Sequence, residues 1–208
     1  MSRHLSENPS KAALRMRVKR KGQLANLPKF HHPKEKTDQI NRILNSKDKK
    51  LKIVELFAGQ GNLTKVYQKF GQVKSCDISL GTGDSYIYIH SLIGNREEYD
   101  VIDADDYGFP NRLFPDIFML TNVKKETIMF LTFPKMSKTF KNLWNKDLMK
   151  NYFGVENPTP AIINKRISEY GRCHLRDIEL LEMLDLGSVW RLAYRVKKYN
   201  ARRKENYK

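Results

Sequence analysis

The sequence predicts an α/β fold with a mostly parallel sheet and helices on both faces, and three observations predict it. Apolar strand-like runs alternate with helix-like runs in the order β-α-β…β-α-β-α-β, the order in which helices cross over between parallel strands. The run Val54-Glu-Leu-Phe-Ala-Gly-Gln-Gly-Asn-Leu-Thr64 passes from a buried-looking strand through a Gly-x-Gly turn to residues that open a helix. Glycine at such a turn accepts left-handed dihedrals and lets a nucleotide-like ligand approach the backbone. An acid, Asp77, stands eighteen positions after Gly59 at the end of the next strand. A carboxylate there is placed to accept hydrogen bonds from ribose hydroxyls; a turn-forming Asp before Gly81 is the plainer alternative.

The elements follow in order. Residues 1–36 are basic and rich in Lys, Arg, Pro and Ser, with His31-His32-Pro33 near their end, and read as an irregular arm. A short helix within Pro9–Lys21 would form on a nucleic-acid surface. Thr37–Lys47 carries Ile40, Ile43 and Leu44 at helical spacing, with Thr37 as N-cap. Leu51–Phe57 is the first strand, Asn62–Phe70 the first crossover helix, and Gln72–Cys76 the second strand. Asp100–Ala104 is a strand ending at Asp105-Asp106-Tyr107-Gly108. Leu113–Val123 reads as a helix with Pro115 in its first turn. Thr127–Phe133 is an apolar strand stopped by Pro134, with Phe133 a core residue. Ile162–Tyr170 and Leu175–Leu186 read as helices, the latter from Leu180, Leu181 and Leu184. Ser188–Val196 alternates apolar and polar, as a half-exposed strand does. The expected organisation is a basic arm (1–36), one α/β domain (37–200) and a basic tail (201–208).

Charge is uneven along the chain. Residues 1–50 carry 14 Lys/Arg against 4 Asp/Glu, and residues 191–208 carry 8 against 1, whereas residues 51–190 carry 17 against 18. A neutral body with basic ends points to nucleic acid contacted through its phosphates by the N- and C-terminal segments; solubilising tails are the plainer alternative. The two cysteines, Cys76 and Cys173, form no Cys-x-x-Cys or Cys/His ligand pattern, so no metal site is expected. There is no apolar run of about 18 residues and no signal-peptide core, so neither a membrane span nor secretion is expected. The expected setting is cytoplasmic, in a cell or in a viral or phage-infected host.

Asp105-Asp106-Tyr107-Gly108-Phe109-Pro110 falls at the carboxyl end of a strand, the edge where open α/β sheets bind ligands. A carboxylate at that edge can accept hydrogen bonds from an exocyclic amine, and a neighbouring aromatic can stack on a base. Methyl transfer to a nucleobase amine needs both. The nitrogen lone pair is delocalised into the ring, and acceptors draw it toward tetrahedral geometry and align it with the methyl group. A turn-forming Asp/Gly/Pro cluster is the alternative reading of the same residues.

Phe57-Ala-Gly-x-Gly61 with Glu55 is similar to motif I of S-adenosylmethionine-dependent methyltransferases, with Thr64 where a dinucleotide fingerprint has its third glycine. The runs Asp84-Ser-Tyr-Ile-Tyr-Ile-His-Ser-Leu92 and Tyr99-Asp-Val-Ile-Asp-Ala-Asp-Asp-Tyr-Gly-Phe-Pro110, with Asp116, resemble the tRNA (guanine-N2) dimethyltransferase family. Trp190-Arg-Leu-Ala-Tyr-Arg-Val196 is similar to the last catalytic-domain strand of that family. The resemblance spans about residues 51–134 and, more weakly, 186–197. It implies a Rossmann-like class I methyltransferase fold, S-adenosylmethionine as methyl donor, and a guanine amine in RNA as acceptor. Asp105 would contact the amine and Tyr107 would be its aromatic partner. Glu55, Phe57, Ala58, Gly59, Gly61, Asn62 and Asp77 would line the cofactor site, with Asp84 as an adenine-side acid.

The family's Pro and Phe of Asp-Pro-Phe-Gly are Asp106 and Tyr107 in this chain. Only six residues lie between Asp77 and Asp84, so either the unit between the second strand and the Asp105 strand is abbreviated or Asp84 has another role. Two alternatives stand beside RNA methylation: a DNA adenine-N6 methyltransferase, and a catalytically degenerate fold serving as a nucleic-acid-binding module. Neither cysteine follows proline, which disfavours C5-pyrimidine chemistry.

Overall fold

The computed structural model describes residues 32–45, 50–77, 81–105, 113–114, 116–135 and 146–200. The chain divides between His32 and Pro33, and every helix and strand among the described residues belongs to the second unit. The tail from 201 onward, and of the expected arm all but its last residues, lie outside the described residues.

Helix α1 spans Pro33–Leu44. It starts four residues before the expected Thr37 cap, because Pro33 has the dihedral a first helical turn needs and lacks only an N–H the helix would not use. Then come β1 (Leu51–Leu56), α2 (Asn62–Tyr67), β2 (Gly71–Cys76), α3 (Ser85–Gly94), β3 (Val101–Ala104) and the single turn α4 (Asp116–Met119). They are followed by β4 (Thr127–Pro134), α5 (Lys146–Phe153), α6 (Pro160–Cys173), β5 (Arg176–Asp185) and β6 (Val189–Lys198). Sequence reading anticipates neither α5 nor α3 as a helix, and the helix expected over Leu113–Val123 contracts to the one turn of α4.

The six strands form one sheet in the order β2-β1-β3-β4-β6-β5. The first four are parallel, and β6 and β5 join antiparallel. The chain steps outward from β1 to β2 and then returns to the other side of β1 as β3. That reversal makes a switch point, and the tips of β1 and β3 flank the crevice it opens. Among the described residues α3 is the one regular element between β2 and β3, so the expected abbreviation is present and β2 is the sheet edge.

Alternation along the strands divides the core. Ile53, Val101, Ile128, Phe130 and Ala193 face α1 and α2, packing on Ile40, Leu44, Leu63, Val66 and Tyr67. Val54, Leu56, Ile102, Ala104, Met129, Leu131, Phe133 and Leu192 pack on the other face with Ile89, Leu92, Ile117, Phe118, Met149, Ile163 and Ile167. Phe133 is core, as its sequence context implies.

Two expectations are corrected. Leu175–Leu186 is not a helix: Arg176–Asp185 is the edge strand β5. A bulge between Leu180 and Glu182 leaves Leu181 as an extra residue. The bulge breaks strict alternation, so Leu180, Leu181 and Leu184 fall at a spacing that mimics a helix. Gly187, with φ 74°, turns this strand into β6. Secondly, β6 is not half exposed. It lies between β4 and β5, and Arg191, Leu192, Ala193 and Tyr194 are all buried.

Candidate cofactor and substrate-amine site

The turn after β1 is built from backbone held in left-handed conformations. Phe57, Gly59 and Gly61 have φ of 64°, 60° and 74°. For Phe57 such a dihedral is costly, and its neighbours fix it. The Phe57 N–H donates to Ser85 Oγ at 2.9 Å, and the ring meets Tyr86 edge-on at 5.2 Å. The Ala58 N–H donates to the Cys76 carbonyl at 3.1 Å. The Gly59 N–H donates to Asp77 Oδ2 at 3.0 Å. Three successive turn amides are thus tied to the tip of β2 and the start of α3. Gly61 caps α2, and Asn62 opens it.

Gly59 leaves the face of the turn open. A Cβ built there meets no atom of the described residues within 4 Å. The glycine is required by its dihedral, and the space a side chain would take is open among those residues.

Asp77 lies beside this turn, as the sequence implies. It is buried, and Thr82 closes the loop behind it, with Oγ1 accepting from the Asp77 N–H at 2.9 Å. Asp84 is the N-cap of α3, its carboxylate accepting from the Tyr86 N–H at 2.8 Å. Glu55 is buried and turned toward α2 and β2, accepting from Thr64 Oγ1 and from Ser75 Oγ (3.1 Å). Burial raises its carboxyl to about 7, against the lowering effect of the Thr64 hydroxyl. Thr64, in place of a third glycine, therefore has a partner of its own.

Asp105 follows β3 directly, across the switch point from the glycine turn. Its Oδ2 accepts from Lys36 Nζ of α1 at 2.5 Å, and its Oδ1 lies 3.8 Å from Arg191 Nη1 of β6. Burial opposes its charge, but Lys36 and Arg191 outweigh burial and hold the carboxyl at about 2. The side chain remains 20% exposed. It is therefore an ionised acceptor with an open side.

Behind it runs a chain of buried polar groups. Arg191 donates to both Asp103 oxygens (2.6 and 3.2 Å), to Thr132 Oγ1 (3.2 Å) and to Gln39 Oε1 (3.2 Å). Tyr67 Oη donates to Asp103 at 2.6 Å. Burial pushes the Asp103 carboxyl up, while Arg191 and Tyr67 favour its ionised form. Sequence reading misses Lys36, which looks like one more charge of a basic arm, and Arg191, which looks like the outward residue of an alternating strand. The usable signal is parity: Asp103 and Asp105 share a strand face, so an inward cation on a neighbouring element is needed.

The structure thus brings Glu55, Phe57, Ala58, Gly59, Gly61, Asn62 and Asp77 together around one turn, places Asp105 on the adjoining strand tip, and uses Asp84 as a helix cap. Tyr107, with Asp106, Gly108, Phe109 and Pro110, lies outside the described residues. No group of His, Cys, Asp and Glu among the described residues is arranged to hold a metal ion. No helix among them is long and apolar enough to cross a membrane.

No family model matches the chain, and no curated protein matches it in sequence. Solved structures do match its fold. Trm1 from Pyrococcus horikoshii, in complex with S-adenosyl-L-methionine, aligns over 85% of this chain with a TM-score of 0.58 and 14% identity. The chain spans 58% of that structure's length. Magnesium protoporphyrin IX methyltransferase (ChlM) from Synechocystis, with bound SAH, aligns over 82% of this chain and 86% of its own, with a TM-score of 0.52 and 15% identity. The strand order and these likenesses together give the chain a Rossmann-like class I methyltransferase fold.

Proposed function

We propose that the chain is an S-adenosylmethionine-dependent methyltransferase acting on an amino nitrogen of a nucleobase in RNA, with guanine N2 the favoured acceptor. The observation that carries the proposal is Asp105: an ionised, partly exposed acceptor on the tip of β3, next to an open glycine turn on the tip of β1. The cofactor assignment is supported by the space at Gly59, by Asp77 beside it, and by the S-adenosylmethionine and SAH in the two similar structures. The guanine assignment is supported by the Asp-Val-Ile-Asp-x-Asp run and the residues following it. The basic segments at both ends would hold the nucleic-acid backbone.

The bound cofactor supplies an electrophilic methyl group on a sulfonium. Around it, the turn Phe57–Asn62 would receive the cofactor against backbone and Asp77 would receive its ribose. Asp105 accepts a hydrogen bond from the attacking amine, orients its lone pair, and stabilises the positive charge that develops on nitrogen as the N–C bond forms and the C–S bond breaks. A carboxyl held near 2 is a weak base, so its contribution is orientation and charge, and the amine proton passes on to solvent.

The contact between Lys36 and Asp105 also favours a second reading, a catalytically silent fold that binds nucleic acid, because part of the acceptor capacity is already used. One assay separates the two. Labelled methyl transfer from S-adenosylmethionine is measured on mixed RNA and DNA, with and without RNase or DNase. The proposal expects label in RNase-sensitive material, and Asp105→Ala abolishing transfer while cofactor binding persists. Equal turnover in Asp105→Ala sinks the assignment of Asp105, DNase-sensitive label moves the substrate to DNA, and absence of label in any polymer favours the silent fold.

A further inference from the structure

We propose that Lys36 is a positioning residue for amine methylation: its ammonium locks the Asp105 carboxylate in the direction and state in which it meets the substrate. The inference rests on the function proposed above. Asp105 sits at the end of a strand, where its side chain has no β partner beyond it to define a rotamer. Two cations and the Thr132 hydroxyl define it instead. Arg191 approaches Oδ1 from β6 but stands at 3.8 Å, beyond hydrogen-bond distance, because its guanidinium is already committed to both oxygens of Asp103. Lys36 reaches Oδ2 from α1 at 2.5 Å, and its side chain is only 7% exposed. Of the two cations, the close, directional contact is therefore that of Lys36.

A lysine stem this buried is not a solvated surface charge. Its ammonium is positioned by the first two turns of α1, and Gln39, one turn on, is anchored to Arg191. Of the other groups around Asp105, Asp103 on its own strand and Glu55 on β1 oppose its charge when ionised, the Tyr67 hydroxyl on α2 is turned to Asp103, and the Thr132 hydroxyl on β4 donates to it. Without Lys36 the acid would keep the shared guanidinium and the Thr132 hydroxyl. An opposite charge within about 4–6 Å lowers a carboxyl by roughly one to three units, so its removal moves the acid up from about 2 toward the ordinary carboxylate range and frees its rotamer.

The test uses Lys36→Met, which keeps most of the stem and removes the charge, and Lys36→Arg, which keeps the charge. Single-turnover methyl transfer is followed from pH 5 to 9 in the full chain, with RNA affinity and cofactor affinity measured alongside. The expected result is a wild-type rate with no acid limb from Asp105 in this range. Lys36→Met is expected to be slowed at least about tenfold across the range through lost orientation of the acceptor, with both affinities unchanged and Lys36→Arg largely restoring the rate. Carbon-13 NMR of the Asp105 carboxyl from pH 2 to 7, without substrate, should show a titration raised by at least about one unit in Lys36→Met, and it stays readable if the variant is unstable but folded. An active wild type whose Lys36→Met profile and Asp105 titration are unchanged overturns the inference alone. A wild type with no transfer to any nucleic acid removes the function on which the inference rests and overturns both.

Discussion

Arg191 Nη2 and Asp103 Oδ2 meet at 2.6 Å in a place where neither side chain touches solvent. The two lie on β6 and β3, with β4 between them. Removing one partner of a buried pair leaves the other charge uncompensated, at a cost of about 3–5 kcal/mol. Arg191→Met should therefore lower stability by about that much in urea denaturation, while Arg191→Met combined with Asp103→Leu should recover a large part. A single-variant loss below about 1 kcal/mol is incompatible with this pairing.

Gly59→Val separates folding from binding. A Cβ at this position meets no atom of the described residues beyond its chain neighbours, so the main cost to folding is the left-handed dihedral, about 1–2 kcal/mol. A thermal melt should show that modest loss. Calorimetric affinity for S-adenosylmethionine should fall by more than about a hundredfold, because the branched side chain occupies the ligand's place. Unchanged affinity would remove the turn from the site.

Glu55 gives stability a pH dependence of definite sign. Its carboxyl titrates at about 7 in the folded chain, against an ordinary value of 4.5. The folded state thus holds a proton the unfolded state gives up between those values. Stability from this group is complete below about pH 4.5, falls as pH rises to about 7, and is constant above; the total is about 3 kcal/mol. Glu55→Gln should match the wild type near pH 4 and exceed it at pH 8, as read from denaturant midpoints at each pH. A wild type that gains stability relative to Glu55→Gln on going from pH 5 to 8 contradicts the assignment.

Gly171 of α6 packs directly under β5. A Cβ there would lie 2.4 Å from Ile178 Cγ1. Gly171→Ala should lose about 1–3 kcal/mol despite the better helix propensity of alanine. Adding Ile178→Ala should return part of that in the same melt. A stabilised Gly171→Ala would mean that β5 is not seated on this helix.

The parts of the fold legible in the sequence are those in which a local pattern and its tertiary role agree. Val54–Thr64 reads as strand, turn and helix because buried residues, left-handed glycines and a helix start are each local demands. Asp77 and Asp105 are legible because strand ends at one sheet edge converge whatever lies between them. Leu180, Leu181 and Leu184 mislead because a bulge shifts the alternation on an edge strand, and the bulge is set by pairing with β6. Arg191 misleads because a residue on a strand belongs to a face, and its face is fixed by Asp103, 88 residues away. Lys36 is hidden by company: among so many basic residues near the N-terminus, nothing local marks the one that turns inward.

The amides of Phe57, Ala58 and Gly59 are all bonded within the chain, to Ser85, Cys76 and Asp77. The entropy of ordering this loop is consequently lost during folding rather than at the moment a ligand arrives. A molecule entering beside Gly59 meets a surface already in its final shape, so its association has no closure of this loop to wait for.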